Sequence, residues 1–113
     1  MRVKDLLDMI DEWNINPRSI WFLDEDKEVK GNIVSWSYID KELIGHAHPA
    51  VWSDSNDVGC IEECLNTIKI YDVPEETELV VDIPDYGQLQ AITNWSYTPQ
   101  GRFSSEVYWR PRL

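Results

Sequence analysis

Val3-Lys4-Asp5-Leu6-Leu7-Asp8-Met9-Ile10-Asp11-Glu12-Trp13 and Ile61-Glu62-Glu63-Cys64-Leu65-Asn66-Thr67-Ile68-Lys69-Ile70-Tyr71 are the two stretches on which the fold turns. In the first, Val3, Leu6, Leu7, Ile10 and Trp13 recur at helical spacing, with Lys4, Asp5, Asp8, Asp11 and Glu12 between them. That is an amphipathic helix, and it must end before Pro17. In the second, Ile61, Cys64, Leu65 and Ile68 continue a stripe begun by Val58, and Ser55, Asn56 or Asp57 is available as N-cap.

Each helix is followed by strand-forming segments. Ser19 to Leu23 is rich in aromatic and β-branched residues, and residues 24–28 with Gly31-Asn32 read as its turn. Residues 32–39 alternate Val34, Trp36 and Tyr38 with Ile33, Ser35 and Ser37, and a third strand runs from Glu42 to His48, stopped by Pro49. After the second helix, Glu78 to Ile83 places Leu79, Val81 and Ile83 on one face. Residues 88–97 alternate Leu89, Ala91, Thr93, Trp95 and Tyr97. Thr98-Pro99-Gln100-Gly101 supplies a turn with fixed φ at Pro and conformational freedom at Gly. A last strand carries Phe103, Ser105, Val107 and Trp109.

The two halves align at an offset of 58: Val3, Leu6, Leu7, Ile10, Trp13 and Ile15 fall on Ile61, Cys64, Leu65, Ile68, Tyr71 and Val73. One inserted residue later, Trp36-Ser37-Tyr38 falls on Trp95-Ser96-Tyr97. The expectation is therefore an α+β single domain over residues 1–113. Two pseudo-symmetric αβββ halves, about 1–52 and 53–113, would form a mostly antiparallel sheet with both helices packed on it. The stretches Val3-Lys4-Asp5-Leu6-Leu7 and Pro74-Glu75-Glu76-Thr77-Glu78-Leu79-Val80-Val81-Asp82 resemble small uncharacterised acidic proteins of phages and integrative elements. The resemblance implies a mobile-element context and brings no catalytic residues with it.

Charge narrows the function classes. The chain carries 21 acids against 10 Lys and Arg, a net charge of −11, so direct binding to a nucleic-acid backbone is not expected. Residues 53–85 hold ten acids and one base, Lys69, whereas residues 86–113 hold one acid and three arginines. No apolar run reaches membrane-spanning length, and Asp5, Asp8 and Asp11 interrupt what would be a signal sequence, so the chain reads as cytoplasmic. Two cysteines exclude a disulfide framework.

No Gly-rich phosphate loop, Gly-x-Ser-x-Gly elbow, His-Glu-x-x-His or paired Cys-x-x-Cys is present, so no catalytic residues are assigned. His46 and His48 share a strand face, Cys60 and Cys64 share a helix face, and the four would make a chemically sensible zinc set. Their spacing matches no common zinc module, and Cys64 falls on an apolar stripe where a buried thiol is ordinary. No metal or cofactor is expected. The paired carboxylates Asp24 and Asp26, Glu62 and Glu63, Glu75 and Glu76, and Asp82 and Asp85 read as solvated charges. Trp36, Tyr38, Trp95 and Tyr97 form core if they face the helices, and an exposed aromatic platform if they face away.

These features suit a non-enzymatic protein-interaction module, with Asp54, Asp57, Glu62, Glu63, Glu75 and Glu76 as an acidic contact surface and the four Trp and Tyr residues as aromatic contacts. Its partner would be a protein with a basic, nucleic-acid-binding groove, as for a mobile-element inhibitor of a bacterial defence nuclease of the anti-CRISPR kind. The alternatives are a small-ligand binder or enzyme with an aromatic pocket at the pseudo-dyad, and a zinc-stabilised structural domain.

Overall fold

The computed structural model describes residues 1–25, 28–49, 59–83 and 89–107. The first periodic stretch is helix α1, Val3–Glu12, and the second is helix α2, Ile61–Tyr71. Val3, Leu6 and Met9 are buried from α1, and Ile61 and Cys64 from α2. Both helices end in the same way. Asn14 (φ 51°) and Asp72 (φ 48°) take the left-handed conformation that Asn and Asp tolerate best among residues with a side chain. The Ile15 N–H then returns to the Ile10 carbonyl and the Val73 N–H to the Ile68 carbonyl, each at 3.0 Å. The N-cap of α2 is Cys60, which makes no side-chain capping bond; the expected caps Ser55, Asn56 and Asp57 lie outside the described residues.

Six strands follow from the remaining apolar segments: β1 (Trp21–Glu25), β2 (Glu28–Ile39), β3 (Glu42–Pro49), β4 (Leu79–Asp82), β5 (Leu89–Tyr97) and β6 (Phe103–Val107). They form a mostly antiparallel sheet, as the sequence implies. Two parallel pairings, β3 with β4 and β1 with β6, close it into a barrel in the order β1-β2-β3-β4-β5-β6. Sequence periodicity carries no sign of that closure, because both parallel pairings join strands distant along the chain.

Two features depart from the expected strand pattern. Asp24 and Glu25 belong to β1 and Glu28 to β2, so the strands reverse within the expected stretch of residues 24–28 but run further into it, while Gly31 and Asn32 pair within β2. The alternation also breaks midway along β2 and β5. A register shift lies between Ile33 and Ser35 and another between Ile92 and Asn94. An extra residue in one strand reverses which side chains face the core beyond it. As a result Ile33 joins Trp36 and Tyr38 on the core side, and Gln90 and Ile92 are buried ahead of Trp95 and Tyr97, whereas Leu89 is 39% exposed.

The helices are fastened across the barrel. The Val3 and Lys4 N–H groups donate to the Thr77 and Glu75 carbonyls, both at 2.9 Å, on the approach to β4. The Ile61 and Glu62 N–H groups donate to the Ser19 and Pro17 carbonyls at 3.0 and 2.8 Å, on the approach to β1. Strands β1 and β4 stand opposite one another in the barrel order, so both helices cross the end at which these strands begin. Their apolar residues form one core with the barrel interior, built around Trp21. The Trp21 ring centroid lies 5.0 Å from those of Trp36 and Phe103 and 5.5 Å from that of Trp95, and its indole N–H donates to Ser105 Oγ at 2.8 Å. Among the described residues no helix is long and apolar enough to cross a membrane.

Gly59 enters α2 pressed against the backbone of β2 at its irregular point. A Cβ there would collide with the Ile33 carbonyl oxygen and lie 2.8 Å from Val34 Cα, and neither atom can move aside without shifting the strand. At Gly45 a Cβ would meet only side-chain tips, Trp36 Cη2 at 3.0 Å and two Ile33 methyl groups at 3.1 Å. Gly45→Ala should therefore cost about 1–3 kcal/mol, the usual range for overpacking, and Gly59→Ala should cost more than about 3 kcal/mol. Urea unfolding of the two variants tests this ranking; equal midpoints would show that the crossing at Gly59 is loose.

Candidate partner-binding site

Trp36, Tyr38, Trp95 and Tyr97 all pack against the core and are partly buried, so they line the inside of the barrel's helical end and do not form an outward platform. Each pair meets the end of one helix. On the α2 side, Tyr71 closes over Tyr38 with ring centroids 6.4 Å apart. On the α1 side, Trp13 makes no ring contact among the described residues and stays 44% exposed. The space between it and the end of β5 is a groove of about 670 Å³, lined by Trp13, Trp95, Ser96, Tyr97, Thr98 and Pro99. The expected turn holds the far wall rigid: the Gly101 N–H donates to the Thr98 carbonyl (2.9 Å), and the Arg102 N–H to Thr98 Oγ (3.0 Å). Gly101 has φ 87°, the conformation that selects glycine there. A smaller cleft of about 210 Å³ shares Trp13 and Trp95 with the groove and continues it along α1, past Asp5, Asp8, Met9 and Glu12.

The acidic residues singled out in the sequence are divided between two places. Glu62 and Glu63 are exposed in the first turn of α2, beside the approach to β1. Glu75 and Glu76 are exposed in the turn before β4, on the opposite side of the barrel. Asp54 and Asp57 lie outside the described residues. Sequence counting missed a further contribution: α1 presents Asp5, Asp8, Asp11 and Glu12 as exposed side chains at the same end of the barrel. Their regular interleaving with the apolar stripe was the available signal, because it fixes them on the solvent face.

Asp24 is not a solvated charge. It is 8% exposed, and Arg102 grips it through both terminal nitrogens, at 2.8 and 3.1 Å. The same guanidinium lies 4.8 Å above the Phe22 ring. Planar two-point contact with a carboxylate and stacking on a ring are what arginine supplies and lysine does not. The pair borders a polar cleft of about 290 Å³, completed by Asn94, Ser96, Ser104, Ser105 and Glu106. Because Asp24 occupies the guanidinium, Arg102 serves to tie the β5–β6 turn to β1.

The four residues weighed as zinc ligands fall apart spatially. His46 and His48 are on β3, where His46 Nε2 lies 2.8 Å from Ser37 Oγ and Nδ1 lies 3.5 Å from Asp82 Oδ2. Cys60 and Cys64 stand at the start of α2, with Cys64 fully buried. Burial pushes the Cys64 thiol well above its ordinary pKa, because the thiolate would have to be desolvated. A zinc ligand requires that thiolate. Among the described residues no group of three His, Cys, Asp or Glu side chains converges as a metal site. The chain matches no protein-family model, no curated protein and no solved structure.

The raised Cys64 pKa has a direct chemical readout. A thiol-specific disulfide reagent such as Ellman's should modify at most one thiol of the native protein rapidly at pH 8, that of Cys60. Cys64 should react only as fast as the protein unfolds. Rapid modification of both thiols would show that the buried face of α2 opens readily.

Proposed function

We propose that the chain is a non-enzymatic protein-interaction module that docks through the helical end of its barrel onto a cationic protein surface, such as a basic nucleic-acid-binding groove. One observation carries the reading: exposed acids and exposed large apolar side chains occur together at that end. Trp13, Ile39, Ile70 and Tyr71 are 44%, 53%, 74% and 59% exposed, and all lie at the ends of α1, α2 or β2. The two helices at that end also expose the carboxylates of Asp8, Asp11, Glu12, Glu62 and Glu63. Aromatic and aliphatic anchors within a charged rim are the anatomy of a protein interface. A role as a mobile-element inhibitor of a bacterial defence nuclease belongs to the same proposal, supported by acidity and the resemblance of Val3–Leu7 and Pro74–Asp82 to phage and integrative-element proteins.

The proposal includes a duplicated αβββ unit. In its support, hydrogen bonds recur at the sequence offset of 58. Val3 to Thr77 corresponds to Ile61 to Ser19, and Lys4 to Glu75 corresponds to Glu62 to Pro17, with the two halves exchanging roles. The left-handed residues Asn14 and Asp72 share the offset, and the strand irregularities follow at 59, from Ile33 and Ser35 to Ile92 and Asn94.

Immobilised protein incubated with bacterial lysate should capture a basic protein at low salt and release it as salt screens the contact. The double reversal Glu62→Lys/Glu63→Lys should abolish capture without loss of fold, because both residues are exposed. Capture that ignores both salt and the reversal would assign the acids to solubility alone.

A second reading rests on the chain Ser37–His46–Asp82, whose order is that of an acyl-transfer relay. In that role His46 would take the Ser37 proton as Oγ attacks. None of the clefts described above is lined by these residues. A fluorophosphonate reports on it directly: an active relay forms the Oγ–P bond, expels fluoride and passes the proton to His46. The interaction reading expects Ser37 to stay unmodified, and labelling lost in His46→Ala would establish the hydrolase instead.

A further inference from the structure

We infer that the groove between Trp13 and the end of β5 receives an arginine side chain of the cationic partner. The inference rests on the interaction reading above and names the contact at its centre. Three observations converge on it.

The first is the exposed ring in the groove wall. Trp13 and Tyr71 occupy corresponding positions at the ends of α1 and α2, and whereas the Tyr71 ring meets that of Tyr38, the Trp13 ring meets no other ring among the described residues and borders the groove. A large indole left 44% exposed gains little from its surroundings unless something covers it.

The second is rigidity. The Trp13 N–H donates to the Met9 carbonyl at 2.9 Å, and Asn14 turns the chain immediately afterwards, which fixes the backbone that carries the indole. On the other wall, Tyr97 Oη accepts the Asn16 N–H at 3.5 Å. The backbone of both walls is therefore fixed, which lowers the entropic cost of binding.

The third is charge. Asp5 is occupied by the Arg2 backbone N–H at 2.9 Å. Asp8 and Glu12, one turn apart on the wall that continues the groove, have no cationic partner among the described residues. Two unpaired carboxylates beside two indole rings select a cation. A guanidinium satisfies both elements at once, because its flat face stacks on an indole while its edge donates to a carboxylate. A lysine ammonium has no flat face to stack, and its stronger hydration makes it costlier to bring against the rings. The volume of about 670 Å³ suits one such side chain together with the backbone that carries it.

Titration of the intact protein with capped tetra-arginine, tetra-lysine and tetra-citrulline peptides, followed by calorimetry and by the NMR shift of the Trp13 indole N–H, tests the assignment. Tetra-arginine should bind roughly tenfold tighter than tetra-lysine, and the neutral citrulline peptide should not bind. Trp13→Ala should weaken tetra-arginine binding roughly tenfold. The exposed pair Asp8→Asn/Glu12→Gln should do the same with an unchanged circular dichroism spectrum. Equal affinity for the arginine and lysine peptides, an unmoved Trp13 resonance, or undiminished binding in Trp13→Ala overturns the inference. The two readings fail separately. If Trp13→Ala still captures the basic partner while Glu62→Lys/Glu63→Lys does not, the interaction reading stands and the arginine slot falls.

Discussion

The first amide N–H groups of an α-helix have no carbonyl partner within the helix, and something else must accept them. At α1 the Asp5 side chain accepts the Arg2 N–H at 2.9 Å, and in both helices backbone carbonyls receive the next two N–H groups. The N–H groups of Val3 and Lys4 go to the carbonyls of Thr77 and Glu75, and those of Ile61 and Glu62 go to Ser19 and Pro17. Each helix is thus anchored to the segment that starts the first strand of the other half. That exchange places both helices over one end of the barrel, brings Val3, Leu6, Ile61 and Cys64 into contact with the barrel interior, and leaves their acidic faces outward. The grooves and the charge of the helical end follow from it.

The interior is filled around one large side chain. Trp21 occupies the centre and meets Trp36, Trp95 and Phe103. An indole so deeply placed needs an acceptor for its N–H, and Ser105 provides it. The position facing Trp36 across the β2–β3 ladder is instead Gly45, where even one methyl group would crowd the Trp36 ring. Bulk on one strand is matched by its absence on the neighbour, as close packing requires.

Much of this was legible in the sequence, and the exceptions have physical causes. The helices declared themselves because stripes such as Val3, Leu6 and Ile10 obey a period that nothing else in the chain disturbs. The strands could be placed, yet the faces of β5 came out reversed over Leu89 to Ile92, because the irregularity at Thr93 is a local backbone event with no composition of its own. The closure of the barrel was hidden, since it depends on β1 meeting β6 and β3 meeting β4. Of the candidate contact residues, the Trp and Tyr pairs stayed open between core and platform, because alternation along a strand does not say which face the helices cover. Trp13 was read as the last residue of a buried stripe, and only the turn at Asn14 sets it free. Asp24 was read as solvated because its partner Arg102 lies 78 positions away along the chain.

The crossed anchoring of the helices also bears on how the chain reaches its fold. The carbonyls that receive α1 belong to Glu75 and Thr77, so the helix made first cannot be fastened until much of the second half is available. The parallel seam between β1 and β6 waits longer still. Contacts of such large sequence separation require loop closure before they contribute stability, and they slow folding relative to a chain of local hairpins. The β2–β3 hairpin, joined by the two residues Asp40 and Lys41 in left-handed conformation, is a local piece that, like β1–β2 and β5–β6, can form before those distant pairings. Until the later strands arrive, that hairpin and β1 present unpaired strand edges, so a growing chain has reason to engage a chaperone over this interval.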